Sequence, residues 1–331
     1  MTGRTLYFDG PRSVSVEETP VPDPGPDEVL VRTTRSAISP GTELLVYRDE
    51  VPEQMATDET IDALDGTLSY PLRYGYAAVG EVTALGREID EGWRGRQVFA
   101  FHPHESHFLA RPDELVPTTL PPETATLIAN AEAAVSFVMD GRPRIGERVA
   151  VYGQGPVGLL TTALLATFPL DRLVAVDCFE RRRDLARNLG ADVALAPDED
   201  VTGAIGGDGA DLAIELSGAP AALDDAIAAT GFAGQVIVGS WYGTKAATLD
   251  LGGAYHRSHI RIRSSQVSRV DPDHADRWDK DRRLGLVRDR LAELSVDDLF
   301  THTFTLEAAA DAYRLLDERK AEAVQVLFRY D

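Results

Sequence analysis

Short apolar runs set between proline- and glycine-rich turns occupy the chain to about residue 118. Val14–Val16, Glu28–Thr33, Gly80–Leu85 and Gln97–Phe101 have the length and β-branched content of strands, and clusters such as Val21-Pro22-Asp23-Pro24-Gly25-Pro26 separate them. Pro121-Pro122-Glu123-Thr124 then opens an alanine-rich helical stretch that ends near Gly141. From there the pattern changes. Arg148–Tyr152 is a short apolar strand, Val157–Ala166 a helix, Arg172–Val176 a second strand, and Arg181–Leu189 a second helix stopped at Gly190. Leu212–Leu216 and Gln235–Val238 continue the series. Strands alternating with helices predict a parallel sheet. Beyond about residue 280 the pattern is mostly helical and closes on the strand-like Ala323–Phe328.

A chain of 331 residues is long for one core, so two domains are expected. Asp and Glu number 54 against 33 Lys and Arg, for a net charge of −21, and Lys245, Lys280 and Lys320 are the only lysines. A surface this acidic repels nucleic acid and anionic lipid. The carboxylates are spread along the chain. That suits a protein hydrated in concentrated salt, where self-repulsion is screened, and lysine depletion favours a salt-adapted host over an acidic mesophilic one. No apolar run reaches the ~20 residues that a membrane span needs. The polar start carries no apolar signal segment, so the expected location is the cytoplasm. Cys178 is the only cysteine, which excludes an internal disulfide and a four-cysteine zinc site.

Gly153-Gln154-Gly155-Pro156-Val157-Gly158 is a G-x-G-x-x-G placed between a strand and a helix. The glycines permit a tight turn and close approach of backbone to a pyrophosphate, and the helix start supplies free N–H groups and a positive dipole. Asp177 closes the next strand, where a carboxylate accepts from the ribose hydroxyls and repels a 2′-phosphate. NAD is therefore the expected cofactor. NADP stays open, because Arg181, Arg182 and Arg183 are near enough to receive that phosphate.

With this loop in place the chain resembles the medium-chain dehydrogenase/reductase superfamily, the zinc alcohol dehydrogenase-like proteins. The resemblance runs through Glu28-Val29-Leu30-Val31-Arg32, Gly75–Val82, Ile145–Val149, Leu189–Asp192, Leu216-Ser217-Gly218 and Thr301–Phe304. It implies an α/β fold: a GroES-like β-rich catalytic domain over 1–129, a Rossmann doubly wound parallel sheet over 130–269, and a return segment, 270–331, completing the first domain. It also implies that Ser217 and Gly218 lie against the adenosine, Gly239 and Ser240 near the nicotinamide ribose, and Ser265 and Gln266, with Ser264, near the nicotinamide amide.

The zinc ligands of that family do not carry over. Ser36 aligns with the catalytic cysteine, Tyr76 and Ala77 with a His-Glu pair, and Ala129 with the third ligand. None of the three positions offers a thiolate, imidazole or carboxylate. Without a Lewis acid, hydroxyl donors must meet the charge that develops on a carbonyl oxygen, and Tyr76, Thr42, Ser39 and Ser36 are the hydroxyls around the old metal position. Ser39-Pro40 also fits a helix cap, Tyr76 a packed core, and Glu43 a charge at a helix start. His102, His104 and His107 leave three readings open: a replacement metal site with Glu105, a histidine acid/base led by His104, or an exposed loop. Glu132 is a weaker acid/base candidate. The function expected is zinc-independent hydride transfer between nicotinamide and a small-molecule alcohol or carbonyl. A C=C reductase and a non-catalytic dinucleotide-binding protein stand as alternatives. His259–Arg263 alternates like an edge strand, so a homodimer or homotetramer is expected.

Overall fold

The structure is a computed structural model that describes residues 2–330 other than 54 and 59. It divides into two units, Met1–Ala129 with Leu284–Asp331, and Asn130–Arg283. The second boundary falls later than residue 269. The stretch before it is fastened to the second unit by Arg283 on Glu132, His274 on the Met139 carbonyl and Arg142 on Asp273.

In the first unit, β1 (Thr2–Gly10) and β2 (Ser13–Pro20) form an antiparallel hairpin. Then follow β3 (Val29–Ile38), helix α1 (Thr42–Tyr47), β4 (Ala78–Leu85), β5 (Gln97–Ala100), β6 (His107–Ala110) and β7 (Leu115–Pro117). The alternation expected of half-buried strands is clear in β3, where Val29, Val31 and Thr33 turn inward and Arg32 outward. Val29, Val31, Ala78, Val82, Val98 and Phe108 make the core beneath this sheet.

The second unit starts with helix α2 (Ile128–Gly141), which begins just before the boundary. It continues through β8 (Arg148–Tyr152), α3 (Pro156–Leu165), β9 (Arg172–Val176), α4 (Glu180–Asn188), β10 (Val193–Leu195), β11 (Ala210–Glu215), α5 (Pro220–Ala228), β12 (Thr230–Val238) and β13 (Arg261–Ser264). These strands form one six-stranded sheet in the order β10-β9-β8-β11-β12-β13, with every neighbouring pair parallel. Val149 to Tyr152 are all buried, as a central strand covered on both faces requires. The order reverses direction between β8 and β11, so the crevice at their carboxyl ends is the place where an open α/β sheet takes its ligand.

The chain returns to the first unit with α6 (Lys280–Glu293), which straddles the boundary, then β14 (Phe300–Thr305), α7 (Ala309–Glu318) and β15 (Gln325–Arg329). β15 pairs with β14 on one side and β3 on the other, giving the sheet order β14-β15-β3-β4-β5-β7, with β6 also on β3. Five strands have no counterpart among the runs read from the sequence: β1, β6, β7, β10 and β14, the last within the stretch expected to be mostly helical. Among the described residues no helix is long and apolar enough to cross a membrane.

Candidate active site

The loop after β8 is built around glycines that admit no side chain. Gly153 sits at φ +91°, and a Cβ there would lie 2.5 Å from the Ser217 backbone nitrogen. A Cβ at Gly158 would lie 1.9 Å from the Gly153 carbonyl oxygen. Gly155 differs: a Cβ there meets nothing within 4 Å, so its glycine keeps a surface open for approach rather than relieving a clash. Gly155 caps α3 and Pro156 occupies the first turn, where its missing N–H costs nothing; Val157 and Gly158 follow in that turn. Gln154 braces the loop from below, donating to the Val151 carbonyl and accepting from Thr162.

Asp177 follows β9 as expected, but its carboxylate is almost fully buried and engaged with its own chain. Oδ2 accepts from the Gln154 amide at 2.7 Å and Oδ1 from the Phe179 amide at 2.8 Å. It therefore ties the glycine loop to the end of β9. Arg182 lies 3.9 Å from Asp177 Oδ2 with its guanidinium over the Phe179 ring, and Arg183 donates to the Asp177 carbonyl. Arg181 is exposed.

On the opposite wall the Gly218 amide donates to Ser240 Oγ at 2.9 Å, which draws the turns after β11 and β12 together. Gly239 packs against Phe137, which a Cβ would strike at 2.7 Å. Two expected contacts turn elsewhere. Ser265 is buried, with its hydroxyl donating to Asp140 Oδ2, and Gln266 folds its amide onto Ser268. Neither side chain projects free toward a ligand.

In the first unit the four expected catalytic residues separate into two groups. The outer group is a cluster of hydroxyls. Tyr76 Oη is 2.6 Å from Ser39 Oγ and 3.2 Å from Thr42 Oγ1. Burial pushes the Tyr76 phenol up to about 12, opposed by its hydrogen bonds to Ser39 and Thr42. Ser39 thus belongs to the cluster while also meeting the start of α1, its carbonyl accepting from the Glu43 amide at 3.1 Å. Gly41 holds the cap position of α1, and the Thr42 amide reaches Ser39 Oγ only at 3.4 Å.

The inner group is enclosed except at Tyr330, which is partly exposed. Ser36 Oγ stands 2.7 Å from His104 Nδ1 and 2.8 Å from Tyr330 Oη. His104 Nε2 stands 3.0 Å from Glu43 Oε2, which also accepts from Tyr313, and Glu43 Oε1 accepts from the Ser39 amide at 2.7 Å. A carboxylate only accepts, so in the neutral ring Nε2 carries the proton and Nδ1 accepts from Ser36. Gly75, at φ +121°, makes room for this ring, since a Cβ there would come within 2.7 Å of it. Ser36, Glu43, His104 and Tyr313 have no exposed surface. An acid/base or nucleophile that touches substrate needs access, and these four side chains have none. Glu43 is correspondingly more than a helix-start charge. Tyr313 and Tyr330 come from the far end of the chain and carried no signal in the sequence.

The histidines do not converge. His102 stacks on Phe108 with ring centroids 4.0 Å apart and lies 3.4 Å from Glu105, while His107 meets Ser106. Among the described residues no group of three or more His, Cys, Asp or Glu is placed to hold a metal ion. Serine, tyrosine and alanine at the three aligned ligand positions do not fit zinc either. Glu132 is bound by Arg283 at 2.7 and 3.0 Å, a buried ion pair that leaves it no catalytic freedom.

Residues 156–280 match the family model described as zinc-binding dehydrogenase. D-guloside 3-dehydrogenase of Escherichia coli (strain K12) is 25% identical over 91% of this chain and 92% of its own. Among solved structures, a short chain alcohol dehydrogenase of E. coli CFT073, complexed with NADH, superimposes with TM-score 0.79 at 19% identity over 99% of both chains. A zinc-binding dehydrogenase of Sinorhizobium meliloti 1021, bound to NADP, does so with TM-score 0.79 at 18% identity over the whole of both chains. The chain shares the fold of these solved structures, and it is an oxidoreductase similar to the dehydrogenases named here.

Proposed function

We propose that this protein transfers hydride between a nicotinamide dinucleotide and a hydroxylated small molecule, an alcohol or polyol and its carbonyl partner, without a catalytic zinc ion. The observation that supports the reading is the Tyr76–Ser39–Thr42 hydroxyl cluster, built on Tyr76, a position that the resemblance aligns with a metal ligand. The glycine loop, the α3 N-terminus and the Ser217–Gly218 turn suit a dinucleotide, whose nicotinamide supplies or accepts the hydride when bound. The chain's own residues manage the proton. The Tyr76 phenol is protonated at neutral pH as an ordinary phenol is, and burial raises its pKa further, so it serves as a donor to the substrate oxygen. Ser39 and Thr42 accept from that phenol and orient it. Asp177 at the end of β9 favours NAD over NADP, with Arg182 as the competing influence. The guloside dehydrogenase relative supports a polyhydroxylated substrate.

The position of β13 at the edge of its sheet supports pairing with a second copy. The acidic, lysine-poor composition supports work in the cytoplasm of a salt-adapted cell. The deciding experiment is a panel of polyols, simple alcohols, ketoses and enones assayed with NAD(H) and NADP(H) in concentrated KCl after exhaustive chelation. Turnover of a hydroxyl or ketone substrate is expected. Turnover of enones alone, or activity that returns only with zinc, overturns the reading.

A further inference from the structure

Behind the wall of the crevice formed by the Ser217–Gly218 turn lies a carboxylate whose surroundings exceed what packing requires. Glu215, the last residue of β11, has no exposed surface. Its Oε1 accepts from the Ser217 amide at 2.7 Å, from the Ser217 hydroxyl and from the Gly218 amide at 3.1 Å, while Oε2 accepts from Tyr242 Oη at 2.7 Å. Its carbonyl oxygen accepts from Ser240 Oγ at 3.4 Å. One side chain therefore holds the turn after β11 and, through Tyr242, the segment after β12. Lys245, one of three lysines in the chain, closes the arrangement from outside by donating to the Gly218 carbonyl at 2.8 Å.

The turn so held has no slack. It lies against Gly153 closely enough that a methyl group there would strike the Ser217 nitrogen, so a shift of the turn changes the width of the crevice at the first glycine of the loop. A hydrophobic residue would fill the space of Glu215 more cheaply than a buried carboxylate does. What the carboxylate adds is a fixed acceptor for donors that would otherwise reach for water and open the turn. We propose that Glu215 is a positioning residue for the dinucleotide: it touches no ligand, and it sets the Ser217–Gly218 wall at the separation from Gly153 that the bound dinucleotide requires.

This inference rests on the dinucleotide reading given above. Replacement by glutamine preserves the arrangement, since its oxygen can serve Ser217 and Gly218 while its NH₂ donates to the Tyr242 oxygen. Leucine leaves those donors without an acceptor. NADH and NADPH affinities are measured by fluorescence titration, with melting temperatures, for the wild type, Glu215→Gln, Glu215→Leu and Val236→Ala. The last variant opens the core of the same sheet away from the turn.

Glu215→Leu is expected to bind at least about tenfold more weakly, the scale of one hydrogen bond's worth of ordering. Glu215→Gln should stay within about threefold, and Val236→Ala should lose melting temperature with no change in affinity. Wild-type affinity in folded Glu215→Leu overturns the proposal, as does an equal loss in the glutamine and leucine variants. If Glu215→Leu does not fold, Glu215→Asp carries the test: it is one methylene too short to reach Ser217 and Tyr242 together, and wild-type affinity in it also overturns the proposal. A wild type that binds neither NADH nor NADPH removes the dinucleotide reading itself, which is a distinct result.

Discussion

His104 Nε2 lies 3.0 Å from Glu43 Oε2, and neither side chain has any exposed surface. The pair is a brace inside the β-rich unit. Removing the imidazole leaves a buried carboxylate short of a donor and Ser36 with Tyr330 as its remaining partner. Losing one partner of a buried charge-bearing pair costs about 3–5 kcal/mol. His104→Ala is thus expected to unfold at markedly lower urea concentration than the wild type, and a loss of activity in it would follow from the loss of fold. Urea titration followed by fluorescence checks this; an unchanged midpoint would show that the pair is dispensable.

Tyr76 behaves oppositely. It is half-buried, and its hydroxyl is anchored only to two other hydroxyls. Tyr76→Phe is expected to keep the melting temperature near that of the wild type and to cut kcat by about 10²–10³, the scale of one lost oxyanion-directed donor. The dinucleotide affinity should not move. Steady-state kinetics beside a binding titration separate the two quantities.

The two glycines of the loop divide along the same line. A methyl group at Gly155 meets open space, whereas at Gly158 it strikes the Gly153 carbonyl. Gly155→Ala is expected to fold normally and to weaken NADH binding by roughly tenfold, because it intrudes where the pyrophosphate approaches. Gly158→Ala is expected to lower the melting temperature as well. Calorimetry with and without NADH distinguishes them.

Acid stability has an identifiable contributor in His102. Burial lowers its pKa to about 3, with Arg73 and His104 acting in the same direction and the Pro103 carbonyl opposing; Glu105 faces it at 3.4 Å. The folded protein favours the neutral ring while the unfolded chain titrates near the ordinary value of about 6.5. Between those values the unfolded state binds more protons, so stability rises with pH. The contribution is complete above about pH 6.5 and is lost as pH falls toward about 3. His102→Phe, which keeps a ring on Phe108, is expected to flatten the fall of melting temperature between about pH 7 and 4. An unchanged slope would assign the acid sensitivity to other groups.

The nucleotide half was legible in the sequence because each signal there is local. The strand–helix alternation and the glycine loop lie within a few dozen residues and need no distant partner. β14 was not legible, because Phe300–Thr305 is partly exposed along its length and offers no hydrophobic contrast to read. The inner group around His104 was only half legible. Its histidine stood out in a cluster, but Tyr330 joins Ser36 across nearly the whole chain, and no spacing rule reaches that far. Ser39 answers to both scales: its local Ser-Pro signature keeps the hydroxyl within 3.4 Å of the Thr42 amide, while Tyr76, a tertiary partner, donates to the same oxygen at 2.6 Å.

The place of β15 bears on how the molecule comes to exist. This strand lies between β14 and β3 in the sheet of the β-rich unit, so β3 lacks that neighbour until residues 325–329 have been made. On the ribosome the parallel-sheet unit, encoded as one uninterrupted stretch, is free to close first. Meanwhile the N-terminal strands emerge early and keep an unpaired edge for most of synthesis. An exposed edge of that kind pairs readily with other chains. The acidic residues carried by that waiting segment oppose such pairing by like-charge repulsion.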